Sequence, residues 1–220
     1  MPASKKIATV APAELLMPEY WEDACKHLTK KDRVMKRLIP QFGDARLQSR
    51  GEAFITLARS IVGQQISVKA AQTVWERFAK LPRKMTPGNV LKLKVDDMRA
   101  AGLSARKVEY LVDLALHFDS GTVHAGAWED WEDEAVIAEL VAIRGIGRWT
   151  AEMFLIFHLM RPNILPLDDV GLINGISKNY FSGESVSRSD VREVAAAWAP
   201  YCSVATWYIW RSLDPLPIEY

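Results

Sequence analysis

Residues 140–154 read "LVAIRGIGRWTAEMF". Leu140 and Val141, with Val136 and Ile137 before them, carry helical spacing up to Gly145-Ile146-Gly147, and a second helix-spaced segment from Trp149 to Met160 begins at once. The spacing predicts an αα-hairpin in which Gly145 takes a left-handed C-cap and Gly147 lets the chain reverse. A tight glycine turn can also cradle an anion, because a helix N-terminus exposes unpaired N–H groups and glycines let a phosphate approach the backbone. Arg148 puts a full positive charge at that helix start, which opposes the helix dipole unless an anion lies between them. A dinucleotide fingerprint fits poorly: its third glycine is missing and a helix precedes the turn.

Working outward, the helical period continues. Phe54, Leu57, Ala58 and Ile61 form one apolar stripe, and Val108, Leu111, Val112, Ala115 and Phe118 form another. Ser67 and Ser104 are placed to N-cap the segments that follow them, Asp168 or Asp169 to start another helix, and Asp190–Trp198 and Pro200–Ser212 to form a final pair with Pro200 in a first turn. Strict alternation is absent. The reading is an all-α protein of about eight to ten helices in two closely packed lobes, with a cleft between them. Loops fall at 81–89, 118–130, 160–169 and 181–190. The expected division is a loose arm over 1–18, one lobe from 19–50 with 161–220, and a central lobe over 51–160 that holds the hairpin at about 134–160.

The 220 residues carry 28 Lys and Arg against 27 Asp and Glu, a net charge of +1, so any basic surface must be local. Cys25 and Cys202 lie far apart and make no zinc spacing, and His27, His117, His124 and His158 make no ligand set. The apolar run "MFLIFHLM" is far shorter than the roughly 20 residues of a membrane span, and no apolar stretch follows Lys5 and Lys6 as a secretory signal requires. A cytoplasmic protein is expected.

Taken with "SIVGQQISVKAA", "GLSARKVEYLVDLA" and "LPLDDVGLINGISK", the hairpin resembles the helix-hairpin-helix (HhH-GPD) superfamily of base-excision DNA glycosylases, and within it the alkylation-repair branch of 3-methyladenine DNA glycosylase II. The resemblance covers roughly residues 45–215, with the motifs in family order. Larger bacterial members carry a further β-rich N-terminal domain, which is not expected within these 220 residues.

The resemblance implies a partner, double-stranded DNA with damaged bases, and a likeness of roles. Asp169, 22 residues beyond Gly147 in "DDVGLI", falls on the catalytic aspartate, with Asp168 as its supporting neighbour or a helix cap. Such a carboxylate can stabilise an oxocarbenium-like sugar and supply water to it. Trp149 occupies the place where strand-cutting relatives carry a lysine, so an imine and a lyase step are not expected. Trp149, Trp210 and Met153 would form the substrate pocket, Met153 replacing a frequent tyrosine, and an aromatic face over a cationic alkylated purine is worth about 0.5–2 kcal/mol. Trp75, Trp198 and Trp207 are read as core. Gly145, Ile146, Gly147, Arg148 and Thr150 would grip DNA at the hairpin, with Gln64, Gln65 and Ser67 at a second corner where Gln65 fills the gap left by the flipped nucleotide.

No cofactor is expected to be required. A monovalent cation, Na+ or K+, would sit on the backbone carbonyls of Val141, Ile143 and Ile146. The expected activity is monofunctional excision of alkylated purines by a monomer. A glycosylase for deaminated or mispaired bases, and a non-catalytic helix-hairpin-helix DNA-binding protein, are the alternatives.

Overall fold

The computed structural model describes residues 18–49 and 51–213, so the expected N-terminal arm, apart from residue 18, lies outside the described residues. Among those residues are twelve α-helices and two short 3₁₀ turns, and no strand. The first helices are α1 (Trp21–Lys31) and α2 (Arg33–Leu38), followed by the 3₁₀ turn Ile39–Phe42. Then come α3 (Ala53–Gly63), α4 (Val68–Phe78), α5 (Pro87–Val90), α6 (Val95–Ala100) and α7 (Ala105–Asp119). After the 3₁₀ turn Trp128–Asp130, α8 (Asp133–Val141) and α9 (Arg148–Phe157) enclose the glycine turn, and α10 (Val170–Tyr180), α11 (Arg188–Ala195) and α12 (Cys202–Leu213) complete the chain.

The all-α expectation holds, and the helix count is higher than expected. Helices α5 and α6 span four and six residues, so neither completes the two turns needed to display a period. Helix α9 stops at Phe157 rather than Met160. There the chain turns through Met160 at φ 52, and the N–H groups of Leu159 and Arg161 close back on the carbonyls of Phe154 and Leu155 at 3.1 and 2.9 Å. Helix α11 starts before Asp190 because Ser187 and Asp190 form a reciprocal capping box around its first turn. Pro200 precedes α12 instead of opening it, behind a cis peptide bond with Ala199. Ser67 and Ser104 cap α4 and α7 as the spacing predicts, accepting from the backbone N–H of Ala70 and Lys107.

Helix α3 packs against α4, α7 and α9, while α5 and α6 lie on α7 and α8 pairs with α9. Helices α1, α2 and α10 all pack on α12, and α11 packs on α10. The α10–α12 contact is very close: a Cβ on Gly175 would lie 2.2 Å from Cγ2 of Ile209, so a larger residue there would force the two helices apart. Buried Asp32 ties several of these pieces together. Its carboxylate accepts the backbone N–H of Val34 and Met35 at the start of α2, the Tyr180 hydroxyl at 2.7 Å and the Trp198 indole N–H at 3.0 Å. The segment leading to α10 is fixed by Ser203, which donates to the Arg161 carbonyl at 2.6 Å and accepts the Ile164 N–H at 2.9 Å. No helix among the described residues is long and apolar enough to cross a membrane.

Candidate active site

The turn between α8 and α9 is shaped by steric demand. Gly145 sits at φ 87, a left-handed conformation, and a Cβ there would lie 2.3 Å from the Tyr110 ring on α7. The same helix holds the turn through Asp113, which accepts the backbone N–H of Arg144 at 2.8 Å. Ile146 is buried and its N–H bonds the Ile143 carbonyl at 3.1 Å. Gly147 is the N-cap of α9 and offers no side-chain acceptor, and nothing lies within 4 Å of the place its Cβ would take. The backbone here is open to an approaching anion.

Arg148 is neutralised by its own chain. Its Nε donates to Glu152 at 3.0 Å, and its Nη1 and Nη2 donate to the two oxygens of Glu134. Those bonds raise the guanidinium above its usual range, with Glu134 the largest contributor, and pull the Glu134 carboxyl down. Burial pushes the Glu152 carboxyl up, and the adjacent guanidinium opposes it. The unfavourable charge at the start of α9 is thus offset by two carboxylates.

Asp169 is the N-cap of α10. Its Oδ1 accepts the Leu172 backbone N–H at 2.5 Å and the Trp210 indole N–H at 2.7 Å, and its Oδ2 accepts the Trp149 indole N–H at 2.8 Å. The buried carboxylate therefore lies at the positive end of a helix, gripped between α9 and α12. Asp168 points elsewhere. It pairs with Arg188 at the start of α11, so it neither caps α10 nor touches its neighbour through a hydrogen bond among the described residues.

A cleft of about 500 Å³ opens between α3, α4 and α9, all within the expected central lobe over 51–160, so its lining does not come from both lobes as the sequence reading predicts. Trp149, Thr150 and Met153 form one wall, and Gln64, Gln65, Val68 and Trp75 contribute to the others. Trp149 is 38% exposed on this wall while its N–H reaches Asp169, so it links the cleft to the carboxylate. Trp210 does not line this cleft: it is buried behind Asp169 and stacks on Phe157 with centroids 5.8 Å apart. Trp198 and Trp207 are buried as expected, but Trp75 is not core. It stands half-buried in the cleft with the Arg59 guanidinium 5.5 Å above its ring. Within α4 only Phe78 is buried, so the stripe of Val68, Ala71 and Trp75 faces the cleft.

The corner between α3 and α4 meets the hairpin directly. Gln64 Nε2 donates to the Gly145 carbonyl at 2.8 Å, and Gln65 has φ 58, a left-handed value that few non-glycine residues adopt. Ser67 is engaged as the α4 cap. Next to these is Ile66, 40% exposed and lining the cleft, which the sequence reading passed over. An isoleucine within a polar, exposed turn was the available signal. A second, smaller hollow of about 320 Å³ joins this corner to the hairpin turn and to Arg106 and Lys107 on α7. Lys107 donates to the Val62 carbonyl at 2.7 Å, and its burial lowers the ammonium below its usual range.

Three comparisons bear on this geometry. Residues 58–200 match the family model for the HhH-GPD superfamily base excision DNA repair protein. DNA-3-methyladenine glycosylase 1 of Schizosaccharomyces pombe is 32% identical over 193 residues, covering 84% of this chain and 85% of that one. Among solved structures, the DNA-3-methyladenine glycosidase from Bacillus halodurans superposes with a TM-score of 0.81 at 33% identity, covering 91% of this chain and 93% of the other. The S. pombe 3-methyladenine DNA glycosylase in complex with abasic DNA gives 0.78 at 31% identity, covering 89% and 100%.

Proposed function

This chain belongs to the HhH-GPD superfamily of base excision DNA repair proteins, and from that membership we propose that it is a monofunctional DNA glycosylase for alkylated purines of the 3-methyladenine and 7-methylguanine class. The observation that carries the reading is the link between cleft and carboxylate: one indole, Trp149, walls the cleft and donates to Asp169.

The chemistry follows from the charges. A purine alkylated at N3 or N7 is cationic and leaves as a neutral base when the C1′–N bond breaks, so little general acid catalysis is needed. The electrons of that bond depart with the base and the sugar becomes oxocarbenium-like. Asp169 supplies a fixed negative charge for that cation, and water adds to C1′ while its proton passes to the carboxylate or to solvent, leaving an abasic sugar. Trp149 offers a π-face to the cationic base, and Trp75 and Met153 complete an apolar receptacle. No amine stands at position 149, so the strand stays intact. The hairpin from Gly145 to Thr150 and the corner from Gln64 to Ser67 are the proposed DNA grips, and either Gln65 or Ile66 fills the space of the extruded nucleotide.

The residues proposed for a monovalent cation fit one. The last carbonyls of a helix lack intrahelical partners, and the Ile143 carbonyl, bonded to the Ile146 N–H, keeps a second lone pair. Val141, Ile143 and Ile146 would hold Na+ or K+ through oxygen and give the hairpin a positive charge facing a phosphate. We read the chain as a cytoplasmic monomer, with lobes divided near residues 50 and 160.

The deciding experiment is base release from DNA treated with a methylating agent, each product identified. The wild-type protein is expected to release 3-methyladenine and 7-methylguanine, while Asp169→Asn keeps lesion-duplex binding and loses about 10²–10³ in rate. Release confined to hypoxanthine or uracil would redirect the assignment to deaminated bases, and binding without any release would make the chain non-catalytic.

A further inference from the structure

Arg148 is held by two carboxylates of opposite character. The Glu152 side chain, one turn along α9, is 7% exposed and takes Nε. The Glu134 side chain, in the first turn of α8, is 72% exposed and takes Nη1 and Nη2 side by side. Bonding at Nε fixes the plane of the guanidinium from the protein side, so the two-nitrogen edge is the one turned toward Glu134. A carboxylate and a phosphate present the same pair of oxygens to that edge.

The two pairs also differ in permanence. An exposed ion pair is weak and screened by salt. A buried carboxylate that loses its counter-charge is left uncompensated, which is strongly unfavourable. The guanidinium is therefore anchored at Glu152 and exchangeable at Glu134. Immediately beside it, the uncapped N-terminus of α9 and the open face of Gly147 leave room for an anion.

We propose that Glu134 stands in for a DNA phosphate on the outward edge of Arg148 in the free protein and gives way to that phosphate when duplex binds, while Glu152 is the positioning residue that keeps the edge outward. This rests on the reading of the chain as a DNA-binding glycosylase. The hairpin then exchanges one anion for another on contact with DNA. Its hold on undamaged duplex is weakened, and discrimination shifts to the cleft that receives the extruded base.

The test is a double-mutant cycle on undamaged duplex DNA, with affinity measured across a salt series for the wild type, Glu134→Gln, Arg148→Ala and the double variant. Glu134→Gln is expected to bind about two- to fivefold tighter, with the slope of log affinity against log salt steeper by up to about 0.9. Both effects should vanish when Arg148 is absent. Unchanged or weaker binding by Glu134→Gln overturns the proposal, as does a gain that persists at the same size in the Arg148→Ala background, since that would be the removal of any surface charge.

For the positioning role, Glu152→Met, which fills a similar volume and offers Nε no oxygen acceptor, is expected to lose the coupling between Arg148 and Glu134; full coupling would show that Glu152 orients nothing. Arg148→Lys covers the case in which Glu152→Met loses its fold, because it keeps the charge without Nε or the paired nitrogens. Its coupling to Glu134 should disappear, and full coupling would leave charge alone responsible. Wild-type binding and base release are recorded in the same assays. Their absence would sink the glycosylase reading, whereas their presence with zero coupling sinks only this inference.

Discussion

Trp149 combines two roles that substitution can separate. Its ring forms the cleft wall and its N–H bonds Asp169 Oδ2 at 2.8 Å. Trp149→Phe retains a flat apolar face and removes the donor, and a hydrogen bond to a charged group is worth about 1.5–3 kcal/mol. The expected outcome is a fall of roughly ten- to a hundredfold in single-turnover base release, with lesion-duplex affinity little changed. Trp149→Ala should lose affinity as well. If Trp149→Phe were as active as wild type, the indole N–H would have no part in holding the carboxylate. At this scale the resemblance singled out Asp169 and Trp149 by their places relative to the hairpin, while residue type alone left Asp168 and Asp169 open, and the structure brings the side chains of Asp169 and Trp149 into one hydrogen bond. Trp75 was hidden by its spacing with Val68, Ala71 and Phe78, which looks like a core stripe, whereas in the structure only Phe78 is buried and the other three line the cleft. Glu152 was equally hidden, since nothing in "TAEMF" shows that its carboxylate would be buried beneath Arg148.

For the hairpin as an element, the two glycines make contrasting demands. Gly145 needs its left-handed φ and lacks room for a Cβ against Tyr110, whereas Gly147 has φ −90 and open space around it. Gly145→Ala is therefore expected to destabilise the protein by about 1–3 kcal/mol in urea unfolding. Gly147→Ala should leave stability within about 0.5 kcal/mol, yet weaken DNA binding because a methyl group would stand where a phosphate approaches the backbone. Loss of stability without loss of DNA affinity at Gly147 would reverse the roles assigned to the pair. The elements that sequence revealed were the long ones, such as α3, α7 and the hairpin pair, whose stripes repeat over several turns. Helices α2, α5 and α6 have six, four and six residues, too few to repeat a pattern, and their formation depends on caps and tertiary packing.

Across the whole molecule, an all-α class was legible from periodicity, but the contacts that set helices against one another were not. Asp32 joins residues from α2, α10 and the end of the α11 segment, a convergence that no local spacing announces. His158 is another such joint, and it makes global stability depend on pH. It lies at the C-cap of α9, stacks on Phe154 with centroids 4.5 Å apart, and places Nδ1 3.4 Å from the Thr56 hydroxyl on α3. Burial pushes its imidazole down from 6.5 to about 4. Between those values the unfolded chain binds a proton that the folded protein refuses, so stability is fully present above about pH 6.5 and declines as pH falls toward 4. With part of the ring in solvent, the loss is about 1–3 kcal/mol. Urea unfolding at pH 7.5, 6 and 4.5 should show a steeper decline for the wild type than for His158→Gln, which keeps a polar group near Thr56 but cannot titrate. The carboxylates titrate alike in both proteins and cancel in the difference. Parallel pH profiles would mean that the imidazole is protonated as readily in the folded protein as in the unfolded chain, and that the joint between α9 and α3 is not what acid loosens.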